Sequence, residues 1–449
     1  MASRTLAWLV LFGLLVALAL RLHSCVRATP EDTLAREQAT YQRVRSLILD
    51  RYIKEVDERG LFYGAMEGMV SRLDKHSRFL PPELYERLKT DTTGQFEGVG
   101  IEWNPDESLG LVVLTPLQGT PAFRGGVYPG DKILAVDGVR TEGMNREECG
   151  RRIRGPVGTK VRLTLLHEGT SRPVDVTLER SVNEIKSVPV AEMLGPDYVP
   201  PAAGSPAGEP AAKVGYVQVA HFQPKTAADM DAALARLEKE GLQALVLDLR
   251  QNPGGLLKAA EDVAELFLKD GVIVSVIARD TAGAEGPTRI TYATGEKTHP
   301  FYPLAVLVDG ESASASEVVA GALEDRGRAV LVGSKTYGKF SVQDVFEVPL
   351  NNWGESALKL TVARYKTPTS PCIDGQGIVP DYVVQFAPEQ QRGLLQSRLA
   401  RHVQDNDPRA APGAQAPKAN GGEAPAPFVD LQLRKAVEVL LQQVKAARK

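Results

Sequence analysis

The stretch Leu304–Asp325, LAVLVDGESASASEVVAGALED, contains three alternating serines, Ser312, Ser314 and Ser316. Leu304 to Val308 is a five-residue apolar run, the signature of a strand buried on both faces. Asp309-Gly310 ends it with a turn. Beyond the serines, Ala315, Val318, Val319, Ala322 and Leu323 recur at helical spacing, which predicts a helix over Ser316 to Asp325. The serines therefore occupy a strand–turn–helix junction. Such a junction presents side chains at the carboxyl edge of a sheet, beside the unpaired N–H groups of a helix start. Ser314 with Glu317 three positions on also fits a capping box, so Ser314 is either a helix cap or a nucleophile. The two roles compete, and Ser312 or Ser316 could take the capping duty instead.

The same alternation continues outward on both sides. VGYVQVAHF, ALVLDLR, AVLVG and SVQDVFEV read as strands; Thr226 to Glu240 and Leu256 to Leu268 read as helices. From Val214 to about Phe386 this predicts an α/β layered domain with helices packed on a sheet. Residues 31–94 read as helices, whereas 95–182 hold short β-type runs separated by Gly, Pro and Asp, with one helix at NREECGRRIRG. The core is assigned to 183–390, with a low-complexity Pro/Ala/Gly loop at 195–213. A linker follows at 391–427, Pro/Ala-rich in 405–427. Residues 428–449 close the chain as an amphipathic helix with Leu431, Leu433, Ala436, Val437, Leu440 and Leu441 on its apolar stripe, expected to dock on the body. The fold class is multi-domain α/β.

The chain has 449 residues, 43% hydrophobic and 24% charged, with a formal net charge of -3, and no Lys/Arg run points to nucleic acid. Residues 1–30 differ from the rest. Arg4 precedes 16 uncharged residues, Thr5 to Leu20, which read as a secretory signal or a retained membrane anchor. Lipidation at Cys25 is a weaker reading, because Arg21 and His23 fit a lipobox poorly. The body is thus expected outside the cytoplasm. Cys25, Cys149 and Cys372 have no metal-ligand spacing, and the sequence leaves a Cys149–Cys372 pair open.

Two further segments bear on the serines. GSKTYGKFSVQD places Lys339 in a glycine-flanked loop between strands, with Gln343 four residues on. A serine needs a base, and a lysine serves if burial lowers its pKa. A neutral glutamine can orient the amine without raising that pKa. None of the six histidines has a motif context, and His221 with Asp248 is the one alternative that spacing leaves open. In DLRQNPGGLL, Gly254 and Gly255 leave backbone N–H groups unobstructed at a strand–helix turn, as an oxyanion hole requires, although an ordinary tight turn has the same sequence.

Taken together, SASASE, TYGK with VQ, and DLRQNPGG, in this order of roles, resemble the C-terminal processing peptidases, or tail-specific proteases. GAMEGMVSRLDKHSRFL is similar to that family's N-terminal helical segment and TVARYKTPTSPCIDGQGIVPDYVV to its closing β-segment; the resemblance covers roughly residues 35–390 and the terminal helix. It implies a serine endopeptidase with Ser314 as nucleophile, Lys339, 25 positions later, as general base, and Gln343 supporting the lysine. It implies an oxyanion hole from the N–H of Ala315 and a glycine of the Gly254–Gly255 pair, and neither metal nor organic cofactor. It identifies 95–182 as an inserted PDZ domain, in which the N–H groups of Gly98, Val99, Gly100 and Ile101 would hold a peptide's terminal carboxylate. The implied partners are proteins or peptides with apolar C-terminal tails, not nucleic acid. The implied compartment is the bacterial periplasm, with the inner membrane as an anchoring surface and a homo-oligomer as an open option. The chain departs from the family's GKGTVQ with GKFSVQ. Phe340 either strains the loop, if its position needs positive φ, or packs so as to desolvate the amine. An alternative reading follows from the strained case: a tail-binding adaptor with a weak or inactive protease body.

Overall fold

The computed structural model describes residues 30–106, 110–144, 146–201, 210–279, 285–349, 353–369, 374–410 and 428–447. The N-terminal apolar segment and Cys25 lie outside the described residues, as does Cys372; Cys149 is a buried free thiol. No helix among the described residues is long and apolar enough to cross a membrane.

The chain divides after Phe79. The first unit contains helices Pro30–Arg51 and Glu58–Val70. Asp57 caps the second by accepting from the Arg59 N–H at 3.1 Å. Leu34, Tyr41, Val44 and Leu47 stand exposed along the first.

In the second unit a six-stranded sheet carries the core. Its order is Val190–Met193, Val214–Gln218, Ala244–Asp248, Leu304–Val308, Val330–Gly333, Tyr382–Val383. The first pair is antiparallel and the rest are parallel. Both Ala244–Asp248 and Leu304–Val308 are buried at every position, as a strand covered on two faces must be. One face packs on helices Thr226–Lys239, Leu257–Glu265 and Ala315–Asp325 through Met230, Leu234, Val263, Val318 and Val319. The other is covered by the terminal helix Leu431–Ala447, which buries Leu433, Ala436, Val437 and Leu440 against Val246, Ala305, Leu307 and Val332. Leu431, expected on that stripe, is instead 41% exposed at the helix start.

A second sheet pairs Val272–Arg279 with Glu285–Tyr292 on one side and Glu355–Lys366 on the other; Ser341–Pro349 pairs with Glu355–Lys366. The β-rich module has its own core and a sheet from Ile101–Asp106 to Val174–Glu179, fastened by the pairing of Gln95–Gly98 with Ser181–Glu184.

Two regions differ from the sequence reading. Residues 391–405, read as linker, belong to a helix, Pro388–Asp405, with proline in its first turn. Arg398 anchors it, donating to Asp248 at 2.7 Å, and Leu394 is buried. The loop read at 195–213 is packed at its ends, since Val199 and Ala212 lie in the core; residues 202–209 fall outside the described residues.

Candidate active site

Three adjacent parallel strands end side by side. Asp248 is in register with Leu307, and Val308 with Gly333. The glycine turn follows the first strand, the serine loop the second and the lysine loop the third. Segments up to 85 positions apart in sequence thus meet at the carboxyl edge of one sheet, where open α/β sheets place their ligands.

The three serines have separate tasks. Ser312 is fully buried; its Oγ donates to the Leu249 carbonyl at 2.8 Å and accepts from the Asp309 N–H at 2.9 Å. Ser316, also buried, donates to the Asn252 carbonyl at 2.8 Å. Both tie the serine loop to the segment holding the glycine turn. Ser314 alone is partly exposed, and its side chain makes no capping bond. Its backbone sits at φ 55°, ψ −115°, a conformation costly for a residue with a Cβ. A strained, partly exposed serine before a helix has the geometry of a nucleophile elbow.

Glu317 joins this loop to the lysine loop. Its carboxylate is fully buried and accepts four bonds: from the N–H groups of Ser314 and Lys339, both at 2.9 Å, from Gly338 N–H at 2.7 Å and from Thr336 Oγ1 at 2.5 Å. Desolvation raises its pKa, against the opposing effect of these donors. The Tyr337 N–H adds a direct backbone bond to the Ser312 carbonyl at 3.0 Å. Only the half of the capping box in which Glu317 accepts from the Ser314 N–H is made, leaving Ser314 Oγ for other work.

The Lys339 amine is pushed down to about 8, first by desolvation and then by the nearby Lys359 ammonium; Glu317 and Asp374 act in the opposite direction. Near neutral pH such an amine carries a minor but usable unprotonated fraction, far above that of an ordinary lysine. Among the described residues no hydrogen bond joins Ser314 Oγ to Lys339; the fold fixes the backbones of both, and catalytic side-chain contacts commonly tighten only around substrate. Gln343 donates through Nε2 to the hydroxyls of Ser341 at 2.8 Å and Thr361 at 3.1 Å, and no bond among the described residues links it to Lys339. Phe340 is outside the positive-φ region and 3% exposed in the main core, with its ring 5.3 Å from that of Tyr365. The strained alternative for Phe340 is therefore not the one the backbone adopts.

The glycine turn presses against the serine. A Cβ added at Gly254 would stand 2.9 Å from Ser314 Cβ and 3.0 Å from Ala315 N, at φ 106°. The Gly254 N–H already donates to Asn252 Oδ1 at 2.9 Å. The exposed Gly255 has no such intramolecular acceptor among the described residues, and Ala315, first residue of its helix, has no intrahelical one. Asp248 is committed elsewhere: Tyr216, Arg250 and Arg398 all donate to it, and Arg250 continues to Asp430. These bonds hold its carboxyl well below the usual range despite full burial, and none of them leads to His221.

In the β-rich module, the carbonyls of Gly98, Val99 and Gly100 accept from Asn183 Nδ2, Ala122 N–H and Leu117 N–H, each at 2.9 Å. With the carbonyls engaged, the Val99 and Gly100 N–H groups have no intramolecular acceptor among the described residues, and Gly100 at φ 78° needs its glycine. Ile101 begins the strand that borders this loop.

Sequence reasoning missed two residues here. Glu317 was visible only as half of a capping box. Tyr365 carried no local signal at all; its hydroxyl reaches the carbonyls of both Ser314 and Lys339.

Comparison with known proteins gives matches across both regions. The family model described as peptidase family S41 matches residues 213–384, and the PDZ domain model matches 87–166. The chain is 39% identical over 342 residues to the carboxyl-terminal-processing protease of Synechocystis sp., covering 76% of this chain and 75% of that protein. It is 34% identical over 426 residues to the carboxy-terminal-processing protease of Bartonella bacilliformis, covering 92% and 89%. Among solved structures, the photosystem II D1 C-terminal processing protease is 32% identical, covering 77% of this chain and 86% of that chain with a TM-score of 0.43.

Proposed function

We propose that this chain, which belongs to peptidase family S41 among the carboxyl-terminal processing proteases, cleaves its substrates with Ser314 and Lys339 as nucleophile and base. It is a serine-type endopeptidase with a PDZ domain, and peptide is its substrate class. The single observation that carries the assignment is the shared Glu317 carboxylate, which holds the Ser314 and Lys339 backbone N–H groups at one buried point, while burial lowers the Lys339 pKa to about 8.

In this reading the PDZ domain captures an apolar C-terminal tail, whose carboxylate sits on the amides of the Gly98–Ile101 loop while the peptide adds along the strand that follows. Neutral Lys339 takes the Ser314 hydroxyl proton as Oγ bonds to the peptide carbonyl carbon. The resulting oxyanion rests on the Ala315 and Gly255 N–H groups, because the Gly254 amide is already bound to Asn252. Collapse breaks the C–N bond, and the Lys339 ammonium returns the proton to the leaving amine. Water then attacks the acyl carbon, giving its proton to Lys339; the acyl C–Oγ bond breaks, the Lys339 ammonium returns the proton to Ser314 Oγ, and the new carboxyl terminus is released. Gln343 acts at one remove, bracing Ser341 and Thr361 in the strands next to the lysine loop.

The charge pattern of residues 1–30 supports an exported body, periplasmic in a bacterial cell and held at the inner membrane if that segment is retained. Exposed Leu34, Tyr41, Val44 and Leu47 support association with a second copy.

The test is cleavage of an unstructured reporter ending in small apolar residues by residues 31–449, compared with Ser314→Ala and Lys339→Ala. Both variants are expected to bind the tail and fail to cut it. Full activity in either would overturn the assignment.

A further inference from the structure

Each catalytic candidate is a peptide unit with one donor and one acceptor. Glu317 holds both donors. Both acceptors are held by Tyr365, whose hydroxyl lies 2.9 Å from the Ser314 carbonyl oxygen and closer still to that of Lys339. One hydroxyl proton is thus shared between two carbonyls, one on each loop.

Tyr365 is well placed to be rigid. It lies in Glu355–Lys366, an interior strand of the second sheet, with Val276 opposite it on one side while the adjoining Arg364 pairs with Ser341 on the other. It is 2% exposed. Its own N–H donates to the Phe340 carbonyl at 2.9 Å, and its ring packs on the Phe340 ring. The residue directly after the base is therefore clamped by the same tyrosine through backbone and ring.

We infer that Tyr365 is a positioning residue for the Ser314–Lys339 pair, its hydroxyl fixing the spacing of the two loops and its ring seating Phe340 beside the lysine. This rests on the Ser–Lys reading above. The position of Phe340 then has a purpose: a large ring in the core lets a strand of the second sheet grip the lysine loop. Loss of the hydroxyl frees the Lys339 carbonyl, leaving the loop tied by Glu317 at the Lys339 N–H, by Asp374 at the Phe340 N–H and by the Tyr365 N–H at the Phe340 carbonyl, and the loop gains freedom to admit water to the amine.

The experiment uses Tyr365→Phe, which keeps the ring and its packing, in the chain of residues 31–449. Two quantities are read. The first is steady-state cleavage of the tail reporter; the second is the pH midpoint of Lys339 acetylation by dilute acetic anhydride, followed by mass spectrometry, which requires no turnover. Tyr365→Phe is expected to lower kcat about tenfold to a hundredfold, with KM within about twofold. The Lys339 midpoint is expected to move up by about one pH unit as water reaches the amine. A variant with wild-type kcat and an unmoved Lys339 midpoint would overturn the proposal. Unimpaired cleavage by Ser314→Ala or Lys339→Ala would instead overturn the Ser–Lys reading, and the acetylation midpoint still judges Tyr365.

Discussion

Two glutamates mark two ways of joining parts of this molecule. Glu317, at the Ser314–Lys339 junction, is fully buried and accepts four hydrogen bonds from two loops. Glu102, where the PDZ domain meets the helix Pro388–Asp405, is 41% exposed and is bonded to His402 Nε2 at 2.8 Å. Its neighbours at that boundary are similar in kind: Asn406 accepts from the Gln118 N–H at 2.7 Å, and Lys186 donates to Gln118 Oε1 at 2.9 Å. Buried, multiply satisfied contacts give fixed geometry, whereas solvent-exposed pairs are individually weak and reversible. In the proposed function the chemistry rests on the first kind of contact and the junction of PDZ domain and core on the second.

The comparison breaks most sharply at its buried end. Glu317→Ala leaves the Ser314, Gly338, Lys339 and Thr336 donors without their acceptor, in a site too crowded for easy repair. Loss of stability of about 3 kcal/mol or more, read by denaturant unfolding, is expected together with loss of cleavage. Next in size is Gly254→Ala. The new methyl would meet the Ala313 carbonyl oxygen at 2.8 Å and push on Ser314. A displacement of this kind costs about a hundredfold in kcat, while binding of a free tail peptide stays unchanged because the PDZ domain has its own core.

A gentler probe of the same junction is pH. A Lys339 that takes the serine proton, as proposed, must be neutral to do so, and its amine is depressed to about 8. Activity is therefore low in acid, climbs as pH rises through about 8 and levels off above, a profile that a kcat/KM titration reads directly. An acid-favouring profile would count against lysine as base.

The smallest effect belongs to the exposed boundary. Glu102 raises the His402 pKa above its ordinary value, with Asp405 on the same helix adding to it, while Asn406 Nδ2 faces the other ring nitrogen at 3.3 Å. A raised histidine contributes fully below the ordinary histidine pKa, and its contribution is lost as pH rises through the folded value. His402→Ala is expected to change global stability by no more than about 1 kcal/mol and to abolish that pH dependence. The readout is PDZ–core mobility by hydrogen exchange at pH 6 and pH 8.

What the sequence made legible follows the same division. The strand–turn–helix patterns around Ser314 and Gly254 and the strand–loop–strand pattern around Lys339 are local, so periodicity and glycine placement located all three segments. Their meeting depends on the order of three strands, which local patterns do not encode. Glu317 looked like a helix-capping partner because the acceptor role it plays for Ser314 is local; its bonds to Lys339 and Gly338 span more than twenty positions. Tyr365 was unreadable for the same reason, lying 51 positions from Ser314 and on a different sheet. Arg398 hid a helix within an apparent linker, since its partner Asp248 is 150 positions away. Phe340 shows the opposite limit: a departure from a familiar motif suggests strain, yet its backbone is ordinary and its ring fills the core.

The central claim, that Lys339 activates Ser314, is tested most directly by labelling the serine itself. A fluorophosphonate should attach to Ser314 Oγ, located by peptide mass mapping, at a rate that rises through about pH 8 and collapses in Lys339→Ala. Label on another residue, or a Ser314 rate that neither follows this pH dependence nor responds to Lys339→Ala, would contradict it.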